Sequence, residues 1–596
     1  MTTKIDLRMV FCLSVLAFFF SGCGSTPVSV SLNPPSAMVF SNQTTPLIAT
    51  DSMGDADMVW SIMGPNANSP VPTINMSGAF AAPAVTQNTT YTVTVTSSHD
   101  RTKKASATVT VLAPGQVAAS NNPQVAIYTV TPPAGAATYI QFGTGTTYAL
   151  KSWAQPAPDA GAPLSLFVAG MLASTQYHMR AVVSAPDGTQ VFDADHTFTT
   201  PTIPNSLIPA MIVTTTPGAT PQPGIEMLDM LSLIQPGLFA AYDLSGNLLW
   251  SYPFPGASEN FVQGAHLLPN GHFIMNVAPS TGNEKFVLRE IDLAGDTIRE
   301  ETLDALNASL APAGFFITVG QFTHDVIALP SGHWIALVFT YQNCTGRPAC
   351  AANPLIVGEA LVDLAPQPDG TFLPVWFWNT FDHMDVNRAP MGVSDWTHSN
   401  AVLYSPDDGN LLLSVRDQSW IVKIDYNNGK GLGNIIWRLG YQGDFTLVGG
   451  NDPTDWFYAQ HGPSFVSANT AGKFTMAIMD NGNDRAFPAG VTCGAQGSPP
   501  CLYSSALLMQ IDETYKTATI VSRYLPGEYS FWGGDVQQLS NGNVEADFNA
   551  GGPGLFSDIF ELIPGAPAEV VWHLSLTAQN AYRGFRAPSL YPGVQW

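Results

Sequence analysis

Charge is what this 596-residue chain has least of: Asp, Glu, Lys and Arg together make up 11% of it, with 22 basic against 45 acidic residues. So few basic residues exclude the patches that hold nucleic acid. The formal charge of −23 suits an exported, soluble protein and leaves any anionic ligand to be captured by a local cluster rather than by the overall field. Cysteine is scarce, at 6, and none of its spacings is a zinc signature. Apolar runs long enough to cross a membrane are missing, since the run Met9 to Phe20 is too short. Long amphipathic helical patterns are missing too. What is plentiful is Gly (52) and Pro (47), the punctuation of short strands joined by many turns. The length exceeds one ordinary core, so several domains or a large repeat architecture are expected.

The short apolar run follows Lys4 and Arg8, which makes it a targeting segment. Phe20-Ser21-Gly22-Cys23 resembles a bacterial lipobox with Phe in place of the usual Leu. Residues 1–23 are therefore expected to be a lipoprotein-type signal peptide and Cys23 to carry the lipid, the alternative being ordinary signal-peptidase cleavage nearby. Either reading exports the protein, to the periplasm or cell surface. Gly24 rather than Asp after the Cys points to the outer membrane if the source has two. Cys12 lies in the removed segment. The other four cysteines form two close pairs, Cys344 with Cys350 and Cys493 with Cys501, expected to be local disulfides in an oxidising compartment.

Residues 27–113 read as a small β-sandwich: Tyr91 to Thr96 and Ala107 to Leu112 alternate with period two, and Trp60 is a candidate core residue. The pattern resembles bacterial immunoglobulin-like modules. Residues 116–201 read as a second sandwich, in which Leu172 to Val183 and His196 to Thr200 resemble late strands of a fibronectin type III module with Tyr177 as its corner tyrosine. Neither carries recognisable chemistry; both are expected to serve as spacers or as subunit contacts, the latter compatible with a homodimer.

A Pro-rich joint, Pro201 to Gly224, leads into a domain over 206–596 in which two motifs alternate. One is an outer hairpin often ending in Trp: Tyr242–Trp250, Glu290–Ile298, Leu361–Trp376, Lys423–Trp437, Gln510–Val521 and Glu561–Trp572. The other is an inner hairpin starting at Gln263, His324, His398, His461, Gly534 and, in worn form, Phe585. Successive starts lie about 50–75 residues apart, room for four strands each, which predicts an all-β chain ending in a six-bladed β-propeller. The series opens on an outer hairpin and closes on an inner one, so the two ends should join in one blade and remove the exposed edge.

The inner-hairpin starts should ring the axis at one mouth, and three consecutive ones are histidine. With 11 His in the chain, six positions would hold about a tenth of one by chance. In the hairpin spanning Asp395 to Asp425, antiparallel geometry brings His398 and Asn400 at the start of one strand to Arg416 at the end of the next. A lone His is usually a satisfied structural residue, whereas three converging ones with a guanidinium suit a tetrahedral anion. Such a cluster could bind a transition metal, hold an anion without turnover, or combine a nucleophilic His with groups that neutralise charge. No Cys or carboxylate shares the column, and Arg416 beside a metal is unfavourable, so the last two readings are preferred and no metal or other cofactor is expected. Trp396, Trp456, Phe457 and Tyr458 could clasp an aromatic ligand or simply pack the blades.

Tyr458-Ala-Gln-His461, Trp396-Thr-His398-Ser-Asn400, Ser414-Val-Arg416-Asp-Gln-Ser419 with Lys423-Ile-Asp425, and Asp480-Asn-Gly-Asn-Asp-Arg485 together resemble the bacterial arylsulfate sulfotransferases. The resemblance covers the whole of 206–596. It implies sulfuryl transfer from an aryl sulfate donor to a phenolic acceptor, without the nucleotide donor PAPS, by a ping-pong route through a sulfated histidine. Carried over by motif, His461 is the nucleophile; His398, His324 and Arg416 hold sulfate oxygens or assist the leaving phenol; Asn400 helps position the group. Asp417 stands where many members have His, and Tyr458-Ala459 where an aromatic-Thr pair is commoner, departures that bear on acceptor preference. No Cys-x-Pro-x-Arg run of a formylglycine sulfatase is present, nor a Gly-rich Lys/Ser phosphate loop. The remaining rival is a lipid-anchored binding or adhesion propeller for anionic aromatic ligands, without turnover. Expected partners are thus the small donor and acceptor, with the membrane reached through the N-terminal lipid alone.

Overall fold

The computed structural model describes residues 27–596 except 55–57, 160, 206–207, 232–237, 254–260, 279–285, 346–354, 393, 486, 488–501, 528, 551–555, 566 and 578. The signal peptide with Cys23, and Cys350, Cys493 and Cys501, lie outside the described residues. The chain is all-β and divides into two compact units, 1–114 and 115–596.

In the first unit the predicted strands lie within Thr89–Thr96 and Lys104–Leu112, antiparallel neighbours in a four-stranded sheet with Ser36–Phe40 and Val59–Met63 at its edges. Their alternation turns Tyr91, Val93, Val95, Val109 and Val111 into one core with Leu47 and Phe80. Trp60 is half-buried at the margin of that core.

The second unit begins with Gln116–Ala119, Ala126–Val130 and Leu164–Val168 in one sheet, and Ala137–Gly143 and Gln176–Ser184 at the centre of another. Tyr177 does close a corner: its hydroxyl accepts the Leu172 N–H at 2.9 Å. This part is not a free spacer within the unit. The Tyr591 hydroxyl donates to Phe167 O (3.0 Å) and accepts from Ala169 N (2.8 Å), while Asn122 and Gln124 reach Ser251 O and Leu248 O.

Six sheets follow among the described residues, four of them four-stranded and antiparallel and the last two five-stranded, the fifth carrying Thr446–Val448 as a parallel edge strand; each neighbours the next through its innermost strands, with the last returning to the first. The outer-strand tryptophans tie neighbouring sheets together. Each indole is buried or nearly so, and its N–H, which needs a partner there, donates into a turn of the following sheet: Trp250 to Leu293 O (2.8 Å), Trp376 to Gly431 O (3.3 Å), Trp437 to Glu513 Oε1 (2.8 Å), and Trp572 back to Leu244 O (3.0 Å). The ends meet as the motif phase requires, because the last strand, Asn580–Ala587, pairs antiparallel with Ile225–Leu231 in the first sheet. The predicted joint is more than a linker: its Met211–Thr215 adds a fifth strand to the sixth sheet, on Glu569–Thr577.

Candidate active site

Five of the six innermost strands carry a β-bulge near their start, and the bulges aim the site. His324 (φ 47°) and His398 (φ 43°) occupy the left-handed region, at a cost of about 1–2 kcal/mol each for a residue with a Cβ. In the second and fifth sheets that region is taken by Gly264 and Gly462, so Gln263 and His461 each stand one residue earlier than the sequence column implies. In the closing sheet the bulged residue is Tyr582, between the pairs Met230–Ala581 and Asp229–Arg583. Phe585 lies deeper, opposite Met227. Tyr582, not Phe585, is the sixth member of the ring.

These residues converge. The rings of His324 and His398 are 4.7 Å apart, and the Tyr582 ring lies 6.1 Å from His324 and 6.2 Å from His461. The three histidines differ sharply in their surroundings. His461, 3% exposed, has its Nδ1 2.7 Å from Asn481 Oδ1. The Asn481 amide cannot be flipped without loss, because its Nδ2 donates to Ser530 O (3.0 Å) and Gly533 O (3.1 Å). The proton of neutral His461 is thereby fixed on Nδ1, and Nε2 keeps its lone pair. Burial, then the positive charge of Arg416, holds the His461 pKa well below the usual imidazole value, outweighing the Asn481 bond.

His398 is the opposite case. Burial alone would lower its pKa, but Asp395 Oδ2, 2.5 Å from Nδ1, outweighs this and raises it. Asp395 is itself pinned by a single-residue bridge to Val357, and buried Glu359 clamps the same turn by accepting from Thr397 Oγ1 (2.5 Å) and Ser399 N (2.9 Å). His324, beside Thr323 Oγ1 at 2.5 Å, is driven well below the usual value by burial, then by His398, Arg583 and Arg416.

Ser399 pairs with Val415, so His398 and Arg416 flank one cross-strand pair, as the hairpin reading requires. Arg416 spends NH1 on Asp417 (2.5 Å) and NH2 on Phe531 O (3.3 Å), which leaves its buried Nε with no partner among the described residues. That is one directed cationic donor available to an anion. Asn400 is fully buried; its Nδ2 donates to Gln460 O at 2.8 Å and ties its strand to the peptide before His461. The atom it has left is Oδ1, an acceptor. Beneath the histidines lies Arg583, donating to Asn400 O (2.8 Å) and to Asp325 Oδ1 (3.3 Å), which also meets His266 Nε2 at 2.7 Å.

Four residues with clear parts here had no role in the sequence reading: Asn481, Asp395, Tyr582 and Arg583. Asn481 sits inside the Asp480–Arg485 motif, the one signal that could have found it. Trp396, Trp456, Phe457 and Tyr458 are all 0–1% exposed and pack the sheets, with Trp396 stacked on Phe381 at 5.2 Å. Among the described residues no group of three His, Cys, Asp or Glu is arranged to hold a metal ion.

No curated protein matches this chain. Solved structures align with it only distantly. The major Malassezia sympodialis allergen Mala s 1 aligns at 9% identity and a TM-score of 0.31, covering 60% of this chain and 92% of that one. A DUF4784 family protein from Bacteroides caccae aligns at 8% identity and a TM-score of 0.25, covering 89% and 92%. The family model for Arylsulfotransferase (ASST) matches residues 214–559, more than half of the chain and all of the site just described except Tyr582 and Arg583; the chain belongs to that family.

Proposed function

We propose that the protein moves a sulfuryl group from an aryl sulfate to a phenol, with no nucleotide donor, through a covalent adduct on His461. The observation that carries this reading is the Asn481 bond, which fixes the proton of His461 on Nδ1 and leaves Nε2 to face a cationic cluster, in a ring that burial and Arg416 keep neutral. In the first step Nε2 attacks sulfur, the N–S bond forms and the aryl O–S bond breaks. The ring becomes positive, and its Nδ1–H is already bonded to an amide oxygen. The departing aryl oxygen takes a proton from His398, the histidine that Asp395 keeps protonatable. In the second step a phenol returns a proton to His398 and attacks sulfur, the N–S bond breaks and neutral His461 is restored. Sulfuryl transfer needs chiefly alignment and charge neutralisation, as phosphoryl transfer does, and Arg416 Nε with the His324 ring would meet the sulfate oxygens.

The same reading takes the six sheets as propeller blades, the two preceding domains as Ig-like and fibronectin III-like sandwiches, and the chain as exported and lipid-anchored at Cys23, with disulfides Cys344–Cys350 and Cys493–Cys501. The test is the full chain in detergent with a nitrophenyl sulfate, with and without phenol. Phenol-dependent nitrophenol release and a one-sulfuryl gain in intact mass that vanishes in His461→Ala would support it. Equal release without phenol would mean a hydrolase, and binding without release a non-catalytic receptor.

A further inference from the structure

One short segment, Tyr529 to Gly533, touches the site on both sides of the reacting centre. Its Ser530 and Gly533 carbonyls hold Asn481, and through it His461; its Phe531 carbonyl accepts from Arg416 and from Asn483 Nδ2 (3.0 Å). The segment is fixed at Ser530, whose N–H donates to Ser504 Oγ and whose Oγ accepts from Asn549 N, each at 2.8 Å. Three of its side chains are aromatic and, unlike those of Trp396, Trp456, Phe457 and Tyr458, they are not consumed by the core. Phe531 is 39% exposed, and Tyr529 and Trp532 are half-buried. Trp532 stacks on Tyr582 at 6.4 Å and 26°, and Phe531 lies 6.4 Å from Trp532 and 6.5 Å from Tyr529. A continuous aromatic wall thus runs from the Tyr582 ring beside His324 and His461 out to solvent.

An exposed Phe and a half-buried Trp on a hydrogen-bonded segment, beside a cationic cluster, present aromatic faces that the core does not use. We infer that Phe531 and Trp532 are the specificity-determining residues that take the aromatic ring of donor and acceptor, by stacking. The backbone of the same segment orients the nucleophile and Arg416. The inference deepens the sulfotransferase reading by assigning its aryl subsite. It places the apolar ring on the segment's side chains and the anionic head on groups that its backbone orients, so side-chain substitutions test the two apart.

The experiment measures binding to the full chain by calorimetry, with naphthalene-2-sulfonate and with inorganic sulfate as non-transferable probes, alongside nitrophenyl sulfate kinetics. In Trp532→Ala and Phe531→Ala the preference for the aryl sulfonate over sulfate should fall about tenfold or more, with sulfate affinity unchanged and Trp532→Phe restoring most of the loss. KM for the aryl donor should rise while kcat and the extent of His461 sulfation at saturation stay near wild type. An unchanged aryl preference, or an equal loss of both ligands, would overturn the assignment. Because the binding arm needs no turnover, a chain that binds with the predicted preference but fails to transfer sulfate would overturn the sulfotransferase reading alone.

Discussion

Nδ1 of His461 and Oδ1 of Asn481 stand 2.7 Å apart, and the amide is held in that orientation by two main-chain carbonyls. An acceptor that is neutral, not a carboxylate, fixes the tautomer while drawing the imidazole toward its cation less than burial and Arg416 oppose it. That distinguishes His461 from His398, whose Nδ1 meets the carboxylate of Asp395. One ring is set up to give an electron pair, the other to give a proton.

Asn481→Asp should keep the hydrogen bond but invert that choice. A carboxylate against Nδ1–H stabilises the imidazolium, so the lowered pKa of His461 rises. In a profile of kcat/KM against pH the wild type should stay active to well below pH 6.5. The acid limb of the variant should move to higher pH. Asn481→Ala, which leaves the tautomer free, should lose about 10²-fold or more in kcat at all pH values. An unmoved acid limb in Asn481→Asp would exclude His461 as the group that must be neutral.

Asp395→Asn should act on the other limb. The wild-type carboxylate raises the His398 pKa above the ordinary imidazole value, so protonated His398 persists upward in pH and is lost as pH rises through that raised value. Without the charge, burial and Arg416 prevail and the alkaline limb should shift to lower pH, with the acid limb in place. Asp417 and Glu359 also face this turn, and Asp417→Asn is the control for a general field effect. If both carboxylate variants shift the limb equally, no special pairing with Asp395 exists.

Arg416→Lys should not rescue Arg416→Ala. The guanidinium uses separate nitrogens for Asp417 and for Phe531 O and leaves Nε without a partner among the described residues, a division that a single ammonium cannot reproduce. Both variants should lose about 10²–10³-fold in kcat/KM for aryl sulfate, with thermal unfolding close to wild type. Near wild-type rates in Arg416→Lys would reduce the role of Arg416 to a point charge.

The hairpin that brings His398 to Arg416 is legible because two apolar strands flank a Pro406-Asp-Asp-Gly409 turn, and Ser399 does face Val415. The outer-strand tryptophans were legible for the same reason, though not their purpose, which depends on a turn in the next sheet. Tyr582 was hidden by geometry: a bulge inserts one residue, and a column aligned on a downstream apolar position then selects Phe585. His461 was found one residue out of true phase, since Gly462 carries the left-handed turn in its sheet. Asn481 and Asp395 stand just outside the strands, Asn481 directly after Lys473–Asp480 and Asp395 three residues before His398, where no periodicity exists to read. Met211–Thr215 looked like linker because Pro crowds around it, yet an edge strand tolerates such flanks.

The closing sheet supplies the last test. Arg586, from the final strand, is cross-strand partner to Glu226 and donates to it (2.9 Å), to Glu561 (3.1 Å) and to Gln222 O (2.7 Å), while Glu545 accepts its backbone N–H at 2.6 Å. One cation thus joins both ends of the ring to the sixth sheet, and three buried carboxylates share it. Arg586→Met should cost about 3–5 kcal/mol, because the acids would remain buried without a partner. Burial, then the neighbouring Glu545, raises the Glu226 pKa well above its ordinary value. A carboxyl raised in the folded state binds its proton more tightly there than in the unfolded chain. Its contribution is therefore complete below the unfolded value of about 4.3 and is lost as pH rises through the folded one. Glu226→Gln can still accept from Arg586 and adds a donor toward Glu545, so it should be neutral or stabilising near pH 7 and should flatten the decline of stability between acid and neutral pH. Chemical denaturation of both proteins across that range decides it: parallel curves would show that Glu226 is ionised throughout and that the ring closes on three charges balanced by one.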